Sequence, residues 1–451
     1  MSCGVGKPLS PICDFLKEYN GSYISRLHMP GHKGRAPAGY PDFLQAAFPY
    51  DITEVAGADV LFEAEGIIGE SEALTAALYG AGFTCYSAGG STLSILAMAA
   101  AAVEQFGRKI VVPRNAHRAF VNACALVDAE PVWLCPPCKE GLCPQPTPEM
   151  AAAALDAHPD ARIFYLTSPD YYGVIADVAG IAREVHKRGG VLLCDAAHGS
   201  HLPFAPGVSH PIALGADLCC DSPHKTLPVL TGGSLLHGSG PYFSKGQLKA
   251  KMALFGSTSP SYLIMASLDA CQRWLAHEGR AAFAALDARV KALEAALSQR
   301  GAALLPNKTD CTKITIDCQR MGYTHEEIGA VLRQAGCEPE FCGGGRVVLM
   351  VSPQTDEETL QRVQAALRLP VKRPIPYLDI TLSPEAIMTP REASFAPSEA
   401  VSVENAAGRI AAESRVACPP GIPVVAAGEK IGENEKKLLK NSGIFSIFVI
   451  K

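Results

Sequence analysis

Gly190-Val191-Leu192-Leu193-Cys194-Asp195-Ala196-Ala197-His198-Gly199 is the stretch that decides how this chain folds. A short continuous apolar run bounded by glycine reads as a strand buried on both faces, as in the middle of a parallel sheet. Just upstream, Asp177 to Arg188 has helical period, starting at an acidic residue and stopping at Gly189-Gly190, as helix ends tend to. The same alternation continues outward on both sides. Strands are predicted at Lys109 to Val112, Pro131 to Leu134, Arg162 to Leu166, Gly190 to Cys194, Asp217 to Cys220 and Gly233 to His237. Between them, helices are predicted at Thr92 to Gln105, Arg118 to Val127, Pro148 to Ala157 and Asp177 to Arg188. Strand and helix in strict turn predict an α/β fold with a mainly parallel sheet and crossover helices.

Away from this centre the pattern changes. A polar opening rich in Gly and Pro runs through Pro49, and Ser261 to Arg300 is almost continuously helical, long enough to join one domain to the next. Strands at Lys313 to Cys318 and Arg346 to Ser352, with helices at His325 to Gln334 and Asp356 to Leu367, predict a smaller α+β domain. Pro370 to Pro376 reads as a boundary before a further C-terminal unit. The expected division is an N-terminal segment 1–50, a large domain 51–300, a small domain 301–370 and a C-terminal domain 371–451.

Composition narrows the function. Of 451 residues, 48% are hydrophobic and 19% charged, as in a globular chain rather than a disordered one. Forty Lys and Arg against 45 Asp and Glu leave a net charge of −5, so no overall positive field exists to hold a nucleic acid. The sixteen cysteines lie scattered through apolar runs, which predicts reduced thiols in a cytoplasmic protein. No secretory signal is visible in Met1 to Leu16, and the longest apolar run, Leu93 to Val103, is far shorter than the ~20 residues that span a bilayer. Cys135-Pro136-Pro137-Cys138 with Cys143 has a metal-ligand spacing but no second pair, and His198 with His201 lies in a loop put to other use below. No metal is expected. A small-molecule enzyme fits best.

Ligands of open parallel sheets bind beyond the carboxyl ends of the strands, and three such loops carry suggestive chemistry. Ser87-Ala88-Gly89-Gly90-Ser91-Thr92 offers glycines, hydroxyls and the free amides of a helix start, a favourable setting for phosphate and also an ordinary capped turn. Asp195 can hold a cationic nitrogen, or simply cap a helix. Lys225, in Asp221-Ser222-Pro223-His224-Lys225-Thr226, could form a Schiff base with an aldehyde if desolvated, although most lysines in loops are surface charges. Together the three are more specific than any one. An anion site, a partner for a pyridine nitrogen and an amine for an aldehyde are what pyridoxal 5'-phosphate requires.

Further segments match a known family in order. They are His28-Met29-Pro30-Gly31-His32-Lys33, Pro113-Arg114-Asn115-Ala116-His117-Arg118, Asp195-Ala196-Ala197-His198-Gly199, Ser222-Pro223-His224-Lys225 and Ser257-Thr258-Ser259-Pro260-Ser261-Tyr262. Thr389-Pro390-Arg391-Glu392, Gly408-Arg409-Ile410 and Pro419-Pro420-Gly421-Ile422-Pro423 continue the series. On these segments the chain resembles the ornithine/lysine/arginine decarboxylases of the fold-type I (aspartate aminotransferase-like) pyridoxal-phosphate enzymes, in a short form similar to biosynthetic arginine decarboxylases without an N-terminal wing domain.

The resemblance implies Lys225 as the Schiff-base lysine, Asp195 as partner of the pyridine nitrogen and His117 as the ring stacked on the cofactor, where spacing alone reads a plain loop histidine. It implies that Gly90, Ser91 and Thr92 hold the phosphate, completed by Ser222 and His224, and that His198 lies beside the ring. Thr258 matches a position that reaches the neighbouring subunit's phosphate, so a homodimer with shared active sites is implied. The implied reaction is loss of carbon dioxide from a basic amino acid in polyamine metabolism, arginine before lysine or ornithine, with the proton returned to Cα by Lys225 or His224. A basic side chain needs an acid at its far end. Glu399 and Glu404 are candidates by position, with solvated surface charges the equal alternative. Two departures stand out: Ala196 follows Asp195 where relatives often carry an acid, and Pro223 removes an amide donor near the phosphate. Another fold-type I reaction, such as transamination or aldol cleavage, and an inactive cofactor-binding partner remain open alternatives. Intact Lys225, Asp195 and His117 argue against the last.

Overall fold

In the computed structural model, which describes residues 10–305, 310–377, 382–417 and 422–451, the alternation becomes one seven-stranded sheet. Its strands are β1 (Phe83–Ser87), β2 (Lys109–Pro113), β3 (Glu130–Leu134), β4 (Ile163–Thr167), β5 (Val191–Ala196), β6 (Leu218–Asp221) and β7 (Ser234–Gly238), in the spatial order β1-β7-β6-β5-β4-β2-β3. Five strands from β6 to β3 are parallel neighbours. The sheet departs from the sequence expectation in two respects. β7 runs antiparallel to both β6 and β1, because the link from Ser222 to Gly233 carries only the short helix Pro223–Thr226 and folds straight back instead of crossing over. β1 was not foreseen, since Phe83-Thr84-Cys85-Tyr86-Ser87 mixes polar and apolar residues, as suits an edge strand with one neighbour.

Alternation along each strand divides the core in two. Ile110, Val112, Ile163, Tyr165, Val191, Leu193, Leu218 and Cys220 point to one face, under the helices Gly90–Phe106, Arg118–Val127 and Lys245–Phe255. Val111, Phe164, Leu166, Leu192, Cys194 and Cys219 point to the other, under Pro148–Ala157 and Val178–Lys187. Each fully buried aliphatic or aromatic side chain contributes roughly 1.5–3 kcal/mol. Local signals set the helix ends: Asp177 accepts from Gly180 N at 2.8 Å and Thr147 from Met150 N at 3.3 Å.

The helical stretch after Ser261 is built as Tyr262–Trp274, a π turn at Leu275–Gly279 and Arg280–Gln299. It leads to a three-stranded antiparallel sheet of β8 (Lys313–Asp317), β9 (Phe341–Gly343) and β10 (Arg346–Met350), in the order β8-β10-β9. Helices His325–Gln334 and Glu357–Ala366 belong to this unit. Further on, strand Ser398–Ser402 pairs antiparallel with Ser446–Ile450 over a core that includes Val403, Val425, Leu439 and Ile447. Near the start, helix Pro11–Gly21 packs Ile12 and Leu16 into the main core, and Ile12 N donates to Asp269 at 3.1 Å. Of the quoted C-terminal motif, Pro419-Pro420-Gly421 lies outside the described residues. Among the described residues no helix is long and apolar enough to cross a membrane.

Candidate active site

β1 and β6 both run opposite to β7, so the carboxyl ends of β1, β2, β4, β5 and β6 open on one side of the sheet. Asp195 stands near the end of β5, 2% exposed, opposite Thr167 of β4 and Cys220 of β6. Its carboxylate accepts hydrogen bonds from Tyr165 Oη at 3.1 Å and Ala197 N at 3.1 Å, with Cys220 Sγ at 3.7 Å. Three donors hold the carboxylate in one orientation. Tyr165 was not read from the sequence, although the alternation of β4 puts it on the same face as Ile163.

Beyond β6 the chain turns through Ser222 into the short helix Pro223–Thr226, which carries His224 and Lys225. Pro223 occupies the first helical position, where an amide has no intrahelical acceptor in any case, so its missing donor costs the helix nothing. Lys225 Nζ lies 3.1 Å from His198 Nε2, within hydrogen-bond distance. Burial lowers the lysine's pKa, Asp195 opposes the shift, and the Lys313 charge adds to it. His198 is held well below the usual imidazole range by burial, then by Lys225 and Lys313. His224 is lowered too, mainly by burial, while its Nδ1–H donates to Gly233 O at 2.8 Å. An amine pressed toward neutrality among neutral imidazoles is a nucleophile.

His117 follows β2 and caps the helix Arg118–Val127, its Nδ1 accepting from Ala119 N at 3.2 Å. His117 is exposed, yet neighbouring protein desolvates its ring and lowers its pKa, opposed by Asp195 and aided by Lys225. The helix after β1 begins at Gly90 rather than Thr92, so Gly90, Ser91 and Thr92 form its first turn. Gly90 sits at φ +68° and donates to Gly232 O at 2.8 Å. A Cβ at Gly90 would meet nothing within 4 Å, so the space before this turn is open.

Several buried polar atoms at these strand ends lack a protein partner: Asn115 Oδ1 and Nδ2, Thr167 Oγ1, His198 Nδ1, Ser222 Oγ and Thr226 Oγ1. Buried polar groups are ordinarily satisfied, so such a cluster fits a polar ligand bound among them. With an open helix start, an anchored carboxylate and a deprotonatable lysine alongside, the residues present fit pyridoxal 5'-phosphate.

The comparisons agree with this geometry. Residues 10–301 match the family described as Orn/Lys/Arg decarboxylase, major domain, and residues 378–442 match its C-terminal domain. The chain belongs to the Orn/Lys/Arg decarboxylase family. An arginine decarboxylase of Bacillus subtilis (strain 168) is 30% identical, covering 96% of this chain and 93% of its own length. Another arginine decarboxylase, from Halalkalibacterium halodurans, is also 30% identical, covering 92% and 90%. Among solved structures, the constitutive lysine decarboxylase of E. coli superposes with a TM-score of 0.81 at 19% identity, covering 98% of this chain and 82% of that one, which shows the shared fold. As a member of the Orn/Lys/Arg decarboxylase family the protein is a pyridoxal 5'-phosphate-dependent enzyme that decarboxylates a basic amino acid.

The structure brings some of the expected site residues together and sets others apart. Lys225, His198, Asp195, His117, Ser222 and His224 gather at the strand ends, with the Gly90–Thr92 turn on the same side. Thr258 is exposed on the loop between helices Lys245–Phe255 and Tyr262–Trp274. Glu399 and Glu404 are exposed on the C-terminal unit, Glu399 paired with Arg409 Nη2 at 2.8 Å and Glu404 with Lys440. Neither touches the Lys225 cluster.

Two arrangements escaped the sequence reading. Lys313, at the start of β8 and wholly buried, pairs with Asp310 at 2.5 Å, while His201 Nε2 donates to Asp310 at 2.9 Å. The small domain is thereby tied to the loop that carries His198. A lysine opening a strand buried along its whole length was the available signal. Arg114, three residues before His117, forms a two-pronged buried pair with Glu429 at 2.6 and 2.8 Å, donates to Pro423 O and Val424 O, and lies over the Trp133 ring at 4.6 Å. It fastens the C-terminal unit to the His117 turn. Among the described residues, His201–Asp310–Cys311 and His210–Cys219–Asp221 bring metal-ligand atoms close together. In both, the histidine is already hydrogen-bonded to the aspartate. Cys138 Sγ lies 2.6 Å from Cys143 Sγ in the hairpin after β3.

Proposed function

We propose that the protein decarboxylates arginine, with lysine and ornithine as weaker substrates, using Lys225 and Asp195 as its central catalytic pair. The observation that carries this reading is the cluster itself: a half-buried lysine with a depressed pKa 3.1 Å from His198, above an aspartate anchored by three donors. The preference for arginine is supported by the names of two relatives that match nearly the whole chain.

In this reading Lys225 Nζ would offer its lone pair to the cofactor's aldehyde, and burial, by lowering the lysine's pKa, favours the unprotonated amine that this requires. Asp195, held still by Tyr165 and Ala197, would keep a proton on the pyridine nitrogen of the bound cofactor. The first-turn amides of Ser91 and Thr92, with the Ser222 hydroxyl and His224, would hold the phosphate in the space that Gly90 leaves open, its own amide being bonded to Gly232 O, and His117 would lie against the cofactor. When bound, pyridoxal 5'-phosphate supplies an electron sink for the pair left on Cα as carbon dioxide departs. Lys225 or His224 then returns a proton to Cα. His198 steers the lysine through their shared hydrogen bond.

We further propose a cytoplasmic homodimer that shares its active sites, with Thr258 reaching the neighbour's phosphate and Glu399 and Glu404 as acids by position for the substrate side chain. The division into 1–50, 51–300, 301–370 and 371–451 is retained as a proposal, as is a role of the amine product in polyamine metabolism. The test is an absorbance spectrum of purified protein before and after borohydride, then carbon dioxide release with arginine, lysine and ornithine in turn. Expected are a band near the visible edge that borohydride removes, absent in Lys225→Ala, and gas release fastest with arginine. A cofactor band with no gas from any of the three would sink the substrate reading.

A further inference from the structure

After β3 the chain folds into a two-residue hairpin that the chemistry of Lys225 does not use. Lys139 and Leu142 exchange both backbone hydrogen bonds, at 2.9 and 3.0 Å, and Glu140 and Gly141 between them sit at φ +53° and +70°. Positive φ at both central positions is what a type I′ turn requires, and that turn fixes the register of the two arms. Because Lys139 and Leu142 form a hydrogen-bonded pair, the next residues outward, Cys138 and Cys143, face each other as a non-hydrogen-bonded pair. Such pairs hold their Cα atoms about 4.5 Å apart, inside the range of roughly 4.4–6.8 Å that a disulfide spans. The two thiol sulfurs stand 2.6 Å apart, and both side chains are partly open to solvent.

Access sets this pair apart. Cys194 and Cys219 also face each other, on β5 and β6, yet both are fully buried inside the sheet, where no oxidant reaches. The hydrogen bond with Cys138, and then burial, push the Cys143 thiol far above the usual thiol range. A thiolate of so weak an acid is a poor leaving group, so a bridge between the two, once made, is broken slowly. The hairpin also meets the three-stranded unit. Glu140 O accepts from Arg346 Nη2 of β10 at 2.7 Å, and Glu140 Oε2 pairs with Arg320 Nη2 at 2.7 Å. Leu142 packs against Tyr172, Phe341 and Val348. A covalent tie across the arms would keep the tip aimed at these partners.

We propose that Cys138 and Cys143 are a site of reversible covalent modification, joined by a cross-strand disulfide that stiffens the hairpin and holds it against β10. The co-reactant is a low-molecular-weight disulfide of the glutathione type. One cysteine, as thiolate, attacks a sulfur of that molecule, whose S–S bond breaks and expels one small thiolate. The second cysteine, as thiolate, attacks the protein sulfur of the mixed disulfide and expels the other. Two protein thiols are oxidised, one small disulfide is reduced to two thiols, and the cysteine protons end on the departing thiolates. The site is separate from Lys225 and does not depend on the decarboxylase reading.

The experiment incubates holoenzyme, as wild type, C135S, C138S and C143S, with oxidised glutathione, blocks the remaining thiols with iodoacetamide and digests with trypsin. Cleavage after Lys139 separates the two cysteines, so the bridge reads as two peptides that stay joined until reductant is added. Expected is a joined pair in most wild-type and C135S chains, lost in C138S and C143S. Amide exchange at Lys139 and Leu142 should slow at least about tenfold in the bridged protein, the effect of closing so short a loop. Wild type that ends as a mixed disulfide with glutathione, or with both cysteines unmodified, overturns the proposal. So does a joined pair that survives in C138S or vanishes in C135S, since Cys135 would then be the partner. A bridge that leaves exchange at Lys139 and Leu142 unchanged overturns its role in holding the hairpin.

Discussion

Lys225 is the residue on which the chemistry turns, and its state is set from two directions. Burial and the Lys313 charge lower its pKa, while Asp195 and Glu340 oppose them. Only the unprotonated amine attacks an aldehyde, so a lower pKa extends cofactor capture to lower pH. In Lys313→Met a cation that lowers the pKa is gone and Asp310 is left negative, so the Lys225 pKa must rise. The expected outcome is that the pH midpoint for pyridoxal 5'-phosphate capture by the apoprotein moves upward, read by stopped-flow absorbance. An unchanged midpoint would remove Lys313 from the electrostatics of the site. At this scale the sequence was legible where residues stand out by type and loop position taken together, as Asp195 and Lys225 do, whereas His117 stood out only through the family resemblance. Lys313 was silent, since it matters through Lys225, a residue distant in the chain.

Between elements, the Arg114–Glu429 pair links the turn after β2 to the C-terminal unit. Both side chains are buried, Arg114 at 2% exposure, and Ala426 N adds a bond to Glu429 at 2.7 Å. Removing one partner of such a pair strands a buried charge, which costs about 3–5 kcal/mol, whereas replacing both by apolar residues of similar size is often close to neutral. Glu429→Ala should therefore loosen the C-terminal unit, visible as faster amide exchange across 422–431. The double variant Arg114→Met/Glu429→Leu should recover most of the protection. Equal exchange in the single and double variants would mean that the ion pair does not fasten the two units. Helices and inner strands were legible because their signals are local: the expected helices Arg118 to Val127 and Pro148 to Ala157 form with the same bounds. β1 and the reversal of β7 were not, because an edge strand has no continuous apolar run and strand direction depends on how far a connection can reach.

Across the whole molecule, the segment between helix Pro11–Gly21 and Tyr50 leaves large apolar side chains in water, with Tyr23 at 110%, Leu27 at 93% and Phe43 at 73% exposure. Apolar area of this kind gains roughly 25 cal/mol per Å² when covered, and a second copy of the chain, as in the proposed homodimer, would cover it. Sedimentation should give twice the 47.6 kDa chain mass, and Leu27→Asp/Phe43→Asp should shift it toward the single mass with loss of cofactor retention. A double variant that sediments and holds cofactor as wild type does would move the dimer surface elsewhere. By itself the sequence determined the α/β architecture and the helices between its inner strands to within two residues at each end, because periodicity and capping residues act over a few positions. Tertiary structure alone decided that Asp310 and Lys313 reach back to the His198 loop and that Arg114 meets Glu429. Those pairings join residues more than a hundred positions apart, and no local pattern encodes which distant charge a folded chain brings into contact.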